Sequence, residues 1–148
     1  MLLVFFAARL YMQRGVVQGA APPLAGKLLD GGRVDLADLR GRPVLVHFWA
    51  TWCPVCRLEL SSIDAIAKDY TVITVAQRSG SAAHIRAYLK KHGVDFPVIA
   101  DPDGVLSHRY GVQAVPASFV IGPRGRIRFV EVGYTTGFGL RARLWWVR

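Results

Sequence analysis

Cysteine is scarce in this 148-residue chain: there are two, Cys53 and Cys56. A small domain stapled by disulfides carries more of them at scattered positions, so that class is excluded. A bridge between positions so close closes almost no loop and adds little stability. A bond there is present to react rather than to brace the fold. Histidine is nearly as rare, and no two of His47, His84, His92 and His108 stand at ligand spacing. A Cys-x-x-Cys is half of a zinc site, and the other half is missing, so no metal is expected. Acidic residues are few as well, 10 against 19 basic ones, for a net charge of +9. The basic residues form no block. Arg124, Arg126 and Arg128 alternate around Ile127 and Phe129 as the solvent face of an edge strand does. No recognition motif accompanies the charge, so nucleic acid is not an expected partner.

An apolar run of bilayer length is also lacking. Leu2 to Ala8 is unbroken but far short of the roughly 20 residues a spanning helix needs. No basic stretch precedes it, as one would in a secretory signal, and the small residues Gly19-Ala20-Ala21 lie distant from it. Residues 1–14 are therefore read as the tail of a signal anchor whose beginning is missing. Arg9 and Arg14, on the exported side, run against the positive-inside tendency, and a short leader on a cytoplasmic protein is the alternative. Residues 15–23, rich in Gly, Ala and Pro, read as a linker, and 24–148 as the folded domain. No repeat or low-complexity tract interrupts it. With 52% hydrophobic and 20% charged residues, the chain is globular material with one core.

What is present alternates between two periods. Lys27-Leu28-Leu29 and Arg33 to Leu36 flank Asp30-Gly31-Gly32 and predict a hairpin. A short helical turn follows at 36–39. Val44 to Ala50 is apolar except for His47, which predicts a strand buried on both faces. From Pro54, the positions Val55, Leu58, Ile63, Ile66, Ala67 and Tyr70 recur at helical steps and predict the buried face of a helix. A strand at 72–76, a helix ending at Gly93, a strand at 97–100, a turn at 101–104 and a brief helix at 105–110 come next. Strands at 118–121 and 127–132 form an antiparallel hairpin. A closing helix over 136–146 is expected to bury Leu140, Leu144 and Trp145. Alternating strands and helices predict an α/β fold with a mixed sheet.

The two cysteines fall at the junction of the buried strand and the helix. Pro54 suits the first helical position, where its missing N–H costs nothing. The free amides and dipole of that helix end favour the thiolate of Cys53. Cys56, one turn on and on the same face, is the inner thiol that resolves a mixed disulfide. Trp52 offers a flat apolar contact for a substrate.

The stretch from Phe48 to Cys56, Phe-Trp-Ala-Thr-Trp-Cys-Pro-Val-Cys, closely resembles the active-site segment of thioredoxin-like proteins. It is most similar to their exported, membrane-anchored branch, the cytochrome c maturation thioredoxins and the copper-sensitivity suppressor group. The segment Asp95 to Ile121 resembles that branch's extra strand–helix unit and cis-proline loop. The resemblance implies a thioredoxin-like fold, a mixed central sheet flanked by helices, with an N-terminal hairpin and an inserted strand–helix unit. It implies protein-disulfide oxidoreductase activity through Cys53 and Cys56, with no cofactor beyond the redox-active disulfide. Partners would be protein thiols and disulfides and a membrane electron donor, for a monomer anchored on the periplasmic side of a bacterial inner membrane.

The resemblance also makes Val115-Pro116 a cis peptide bond against the disulfide, with the Val115 backbone as an edge for substrate. Without it, a trans proline opening an edge strand is the default. Glu59 matches a carboxylate of the exported branch that tunes proton transfer at the cysteines; otherwise it is a glutamate welcome in the first turns of a helix. His47 departs from the aspartate or asparagine usual there. It is either a proton acceptor for Cys56 or a neutral histidine bonded within the core. Ala117 replaces a common threonine. Exchange in the reducing direction is the leading reading, and the same parts serve a disulfide-inserting oxidase. A Cu(I)-binding accessory protein is another alternative, since thiolates suit that soft ion. A thiol peroxidase is disfavoured because its reactive cysteine works alone on its helix.

Overall fold

In the computed structural model, which describes all 148 residues, the chain opens with an exposed apolar helix, α1 (Leu2–Met12). It is tied to the domain by an ion pair from Arg9 to Glu131 and by Gln13 Nε2, which donates to Val130 O at 3.3 Å. Residues 15–23 then run hydrogen-bonded along the domain surface. Val17 N–H donates to Tyr110 O at 3.2 Å, Ala21 N–H to Gly125 O at 2.9 Å, and Tyr110 Oη–H to Pro22 O at 2.8 Å. Gly111 makes this close approach possible. Its φ is +68°, and a Cβ there would collide with the carbonyl of Gly15.

Strands β1 (Ala25–Lys27) and β2 (Arg33–Asp35) pair antiparallel, followed by a 3₁₀ turn at Leu36–Leu39. The remaining elements are β3 (Val44–Trp49), α2 (Pro54–Asp69), β4 (Thr71–Gln77) and α3 (Ala82–His92). They continue through β5 (Val98–Asp101), α4 (Val105–Arg109), β6 (Ala117–Ile121), β7 (Ile127–Val132) and α5 (Gly137–Trp146). Five strands form one sheet in the order β5-β4-β3-β6-β7. Strands β3, β4 and β5 run parallel, while β6 and β7 turn back antiparallel. This is the mixed sheet that the alternating periods predict.

Every residue of β3 is buried, because the sheet is covered on both faces. Leu45 and Trp49 pack under α2, α3 and α5, against Ile63, Ile85, Leu140 and Leu144. Val44, Val46 and Phe48 point the other way, toward Leu24, Tyr110 and Phe119. The rings of Phe48, Tyr110 and Phe119 lie 5.1–5.6 Å apart. Burial of each such large side chain is worth about 1.5–3 kcal/mol.

Three expectations are corrected. The paired first arm of the hairpin is Ala25–Lys27; Leu28 closes the turn, its N–H donating to Gly32 O at 2.7 Å, and also bridges Ile99 of β5, while Leu29 N–H donates to Val98 O at 3.1 Å. Val55 and Leu58 lie outside the core. The buried stripe of α2 is Cys56, Glu59, Leu60, Ile63 and Ile66, and polar Glu59 hid that phase from a count of apolar residues. Trp145 is exposed, since α5 turns only Leu140 and Leu144 onto the sheet.

Replacing Gly111 by Ala is expected to destabilise the protein by about 1 kcal/mol or more, since it combines a positive φ with a backbone collision. Denaturant unfolding measures the loss. Faster hydrogen exchange at the Val17 amide, whose partner is Tyr110 O, would locate it.

Candidate active site

The chain leaves β3 at its carboxyl end and enters α2 after four intervening residues, Ala50 to Cys53. Pro54 is the first helical residue and Cys53 is the N-cap. Its sulfur takes the place an N-cap oxygen usually fills, accepting a hydrogen bond from Cys56 N–H at 3.1 Å. The two cysteines are joined as a disulfide, their Cα atoms 5.3 Å apart. Both are buried, at 5% and 1% exposure, yet the surrounding rim is open: Trp52, Val55 and Leu58 are all exposed.

Two loops complete that rim. The Val115-Pro116 peptide is cis, as the resemblance implies, and Cys53 Sγ lies 3.7 Å from Val115 O. Trp52 is 60% exposed but is not loose, because its Nε1–H donates to Arg78 O at 3.1 Å. Arg78 sits at φ +45°, and Ser79 Oγ accepts from Thr51 N–H at 3.0 Å. The loop after β4 thus holds the turn that carries Trp52.

Beneath α2 the sheet carries a polar cluster. His47 shares the face of Leu45 and Trp49, opposite Ser118 in the antiparallel register, and its Nδ1 is hydrogen-bonded to Ser118 Oγ at 2.8 Å. Glu59 points down from α2, one turn beyond Cys56. Its Oε1 accepts from Thr135 N–H at 2.7 Å, while Oε2 has no hydrogen-bond partner and lies 3.9 Å from His47 Nε2. Both residues are at most 2% exposed. Burial pushes the Glu59 carboxyl up to about 7, against the smaller opposing pull of the Thr135 amide. Burial also pushes His47 down to about 3. Between about pH 3 and pH 7 the protonated carboxyl and the neutral imidazole predominate, so this is a pair of uncharged groups rather than a salt bridge.

The structure brings together Cys53, Cys56, Trp52, Val115 and Pro116 at the surface, and Glu59 with His47 below. His47 faces Glu59. Ser118, Thr135, Arg78 and Ser79 were not singled out from the sequence. Only Ser118 left a signal there, as a polar residue inside an otherwise apolar strand. No group of three or more His, Cys, Asp or Glu side chains gathers where it could hold a metal ion.

A mixed five-stranded sheet with a disulfide at the start of a helix and a cis-proline beside it defines a thiol–disulfide oxidoreductase of the thioredoxin-like fold, an enzyme that acts on protein substrates. The sequence profile of the AhpC/TSA family matches residues 17–130, and the chain belongs to that family. It is 33% identical over 136 residues to a thioredoxin-like protein of Haemophilus influenzae, covering 90% of this chain and 81% of that one. It is also 33% identical over 120 residues to the thiol-disulfide oxidoreductase ResA of Bacillus subtilis, covering 78% of this chain and 67% of that one. Among solved structures, a putative thiol:disulfide interchange protein DsbE from Chlorobium tepidum superposes with a TM-score of 0.78 at 27% identity, over 89% of this chain and 98% of that one.

The two buried groups give stability opposite dependences on pH. Glu59 holds its proton more tightly when folded, about 7 against an ordinary 4.5. Its contribution is present below pH 4.5 and is lost as pH rises toward 7. His47 behaves conversely, about 3 against 6.5, so its contribution is present above pH 6.5 and is lost as pH falls. Between those ordinary values the slopes cancel. Relative to the wild type, Glu59→Gln is expected to add a rise of about 1.4 kcal/mol per pH unit in that window, and His47→Asn an equal fall. Urea unfolding at a series of pH values checks both signs.

Proposed function

We propose that this protein reduces disulfides in exported partner proteins, with Cys53 as nucleophile and Cys56 as resolving thiol. The observation that carries the reading is the Cys53–Cys56 disulfide across the N-terminus of α2, with one backbone amide on Cys53 Sγ. The Cys53 thiolate attacks a partner disulfide sulfur, forming a mixed disulfide and releasing one partner thiolate. Cys56, deprotonated, attacks Cys53 Sγ, which restores the internal disulfide and releases the second thiolate. Two electrons pass from the cysteine pair to the partner.

Glu59 is the acceptor for the Cys56 proton. It lies one turn away on the buried stripe, and a carboxyl near 7 takes up and returns a proton in the working pH range. His47 is a positioning residue that acts through Glu59, since its Nε2 stands 3.9 Å from Glu59 Oε2 while Ser118 fixes its ring. Val115 presents its carbonyl to an extended partner segment, and Trp52, Val55 and Leu58 give that segment an apolar platform. The disulfide is the sole redox group, and the protein works as a monomer.

The reducing direction is supported by what surrounds Cys53. Its sulfur accepts one amide hydrogen bond, no Lys or Arg side chain bonds to it, and His47 is uncharged. Strong oxidants owe their potential to a heavily stabilised reduced form, and little here supplies that. No helix is long and apolar enough to cross a membrane. The exposed apolar face of α1 supports association with the bacterial envelope membrane on its periplasmic side, where a membrane donor would re-reduce the pair.

Equilibration of the full chain with graded thiol buffers tests the direction. A potential near or below roughly −230 mV is expected, and a value near −120 mV would make the protein an oxidase. Glu59→Gln is expected to slow exchange on the order of a hundredfold and remove the rate inflection near neutral pH. His47→Asn should move that inflection without abolishing it. Cys56→Ser is expected to trap mixed disulfides at Cys53, and peroxide turnover by this variant would revive a peroxidase role.

A further inference from the structure

Part of the basic charge that exchange chemistry leaves unused gathers at one edge of the sheet. Arg124, Arg126 and Arg128, from the β6–β7 turn and the start of β7, converge with Arg148 on a cleft of about 590 Å³. All four are exposed, and none has a carboxylate partner. The contrast within α5 is informative, because Arg141 pairs with Asp69 at 2.8 Å and Arg143 with Glu131 at 2.8 Å. Beside the unpaired arginines stand two exposed tryptophans. The Arg148 guanidinium lies 4.7 Å from the Trp145 ring centroid, and Trp146 flanks Phe129 of β7.

The exposed apolar helix α1 follows this same edge. Its contacts are Glu131 and Val130, and the segment after it meets Ile127 through Gly19 and Arg126 through Ala20. One edge of the domain thus presents apolar side chains, indole rings and unneutralised guanidinium groups together. Guanidinium forks match phosphate oxygens, and indoles settle where hydrocarbon meets headgroup.

We propose that the β7 edge is a docking surface for a bilayer rich in anionic phospholipid, with Arg124, Arg126 and Arg128 on the headgroup phosphates and Trp145 and Trp146 in the interface. The proposal builds on the membrane association of α1 but is carried by different residues. Strand β6 separates this edge from β3, so a bilayer against β7 leaves the Cys53 end of the sheet open to partners.

Cosedimentation of the full chain with phosphatidylcholine vesicles, with and without phosphatidylglycerol, tests it. The wild type is expected to bind the phosphatidylglycerol vesicles more tightly, by a margin that shrinks as salt is raised. A triple Arg124→Ser, Arg126→Ser, Arg128→Ser variant should lose roughly a hundredfold on those vesicles and nothing on neutral ones. Its unchanged exchange with a small dithiol would show that it is folded. Binding of the triple variant to phosphatidylglycerol vesicles at the wild-type level overturns the docking surface. So does tighter wild-type binding to a mixed-sequence oligonucleotide than to vesicles of equal phosphate content. A Phe5→Ser, Phe6→Ser variant reads the α1 association separately: unchanged binding to neutral vesicles would sink that reading, while the arginine-dependent increment still decides this one.

Discussion

Strand β3 has no face left for solvent: its six residues are buried between helices on one side and the aromatic cluster of Phe48, Tyr110 and Phe119 on the other. A strand so enclosed cannot shift its register without moving apolar side chains to the wrong face. Its carboxyl end is therefore a rigid platform, and the turn through Thr51 and Trp52 delivers Cys53 to the first free amides of α2. The chemistry of the disulfide depends on that placement, because the helix end supplies both the Cys56 amide and the dipole that favour a thiolate. The loops from β4 and before β6 reach the same point because their strands are bonded to β3 on either side.

The polar residues under α2 are costly where they are. A buried carboxyl with one oxygen unpartnered, 3.9 Å from a buried imidazole, is costly to ionise, and burial shifts both groups toward their uncharged forms. A core of the same volume filled with apolar side chains would be the more stable choice. The proposed role of Glu59 as acceptor for the Cys56 proton gives a reason to keep so costly a pair beneath the helix. His47 faces that carboxyl. It places a second titratable ring against Glu59, and Ser118 keeps that ring in place.

The sheet's two edges are handled differently. At β5, Leu28 and Leu29 bond to the strand and cover it. At β7, an irregular register beside Arg128, exposed arginines and the segment from α1 to Ala20 prevent another strand from adding. Residues 15–23, which read as a linker by composition, bond in turn to the end of α4 and to the β6–β7 turn. The glycine at 111 is what lets that segment lie so close.

Much of this was legible from residues alone. The continuous apolar run of β3, the proline after Cys53, the glycine after α3 and the two periods located nearly every element, because backbone propensity and capping act over a few neighbours. The cysteine pair, its position at a strand-to-helix junction and the motif before it were enough to indicate thiol chemistry. Other features depended on contacts distant in sequence. Periodicity put Val55 and Leu58 inside α2, yet the tertiary fold turned Glu59 inward, because the space beneath the helix was shaped by His47, Ser118 and Thr135 from three other segments. Trp145 likewise became a surface residue once Leu140 and Leu144 had filled the room above the sheet. The sequence by itself determined which residues react and where the helix that activates them begins, since both follow from local order along the chain. Only the tertiary structure decided which carboxyl is buried, what faces it and which arginines meet at the β7 edge, since these depend on segments up to about a hundred residues apart meeting in one packed core.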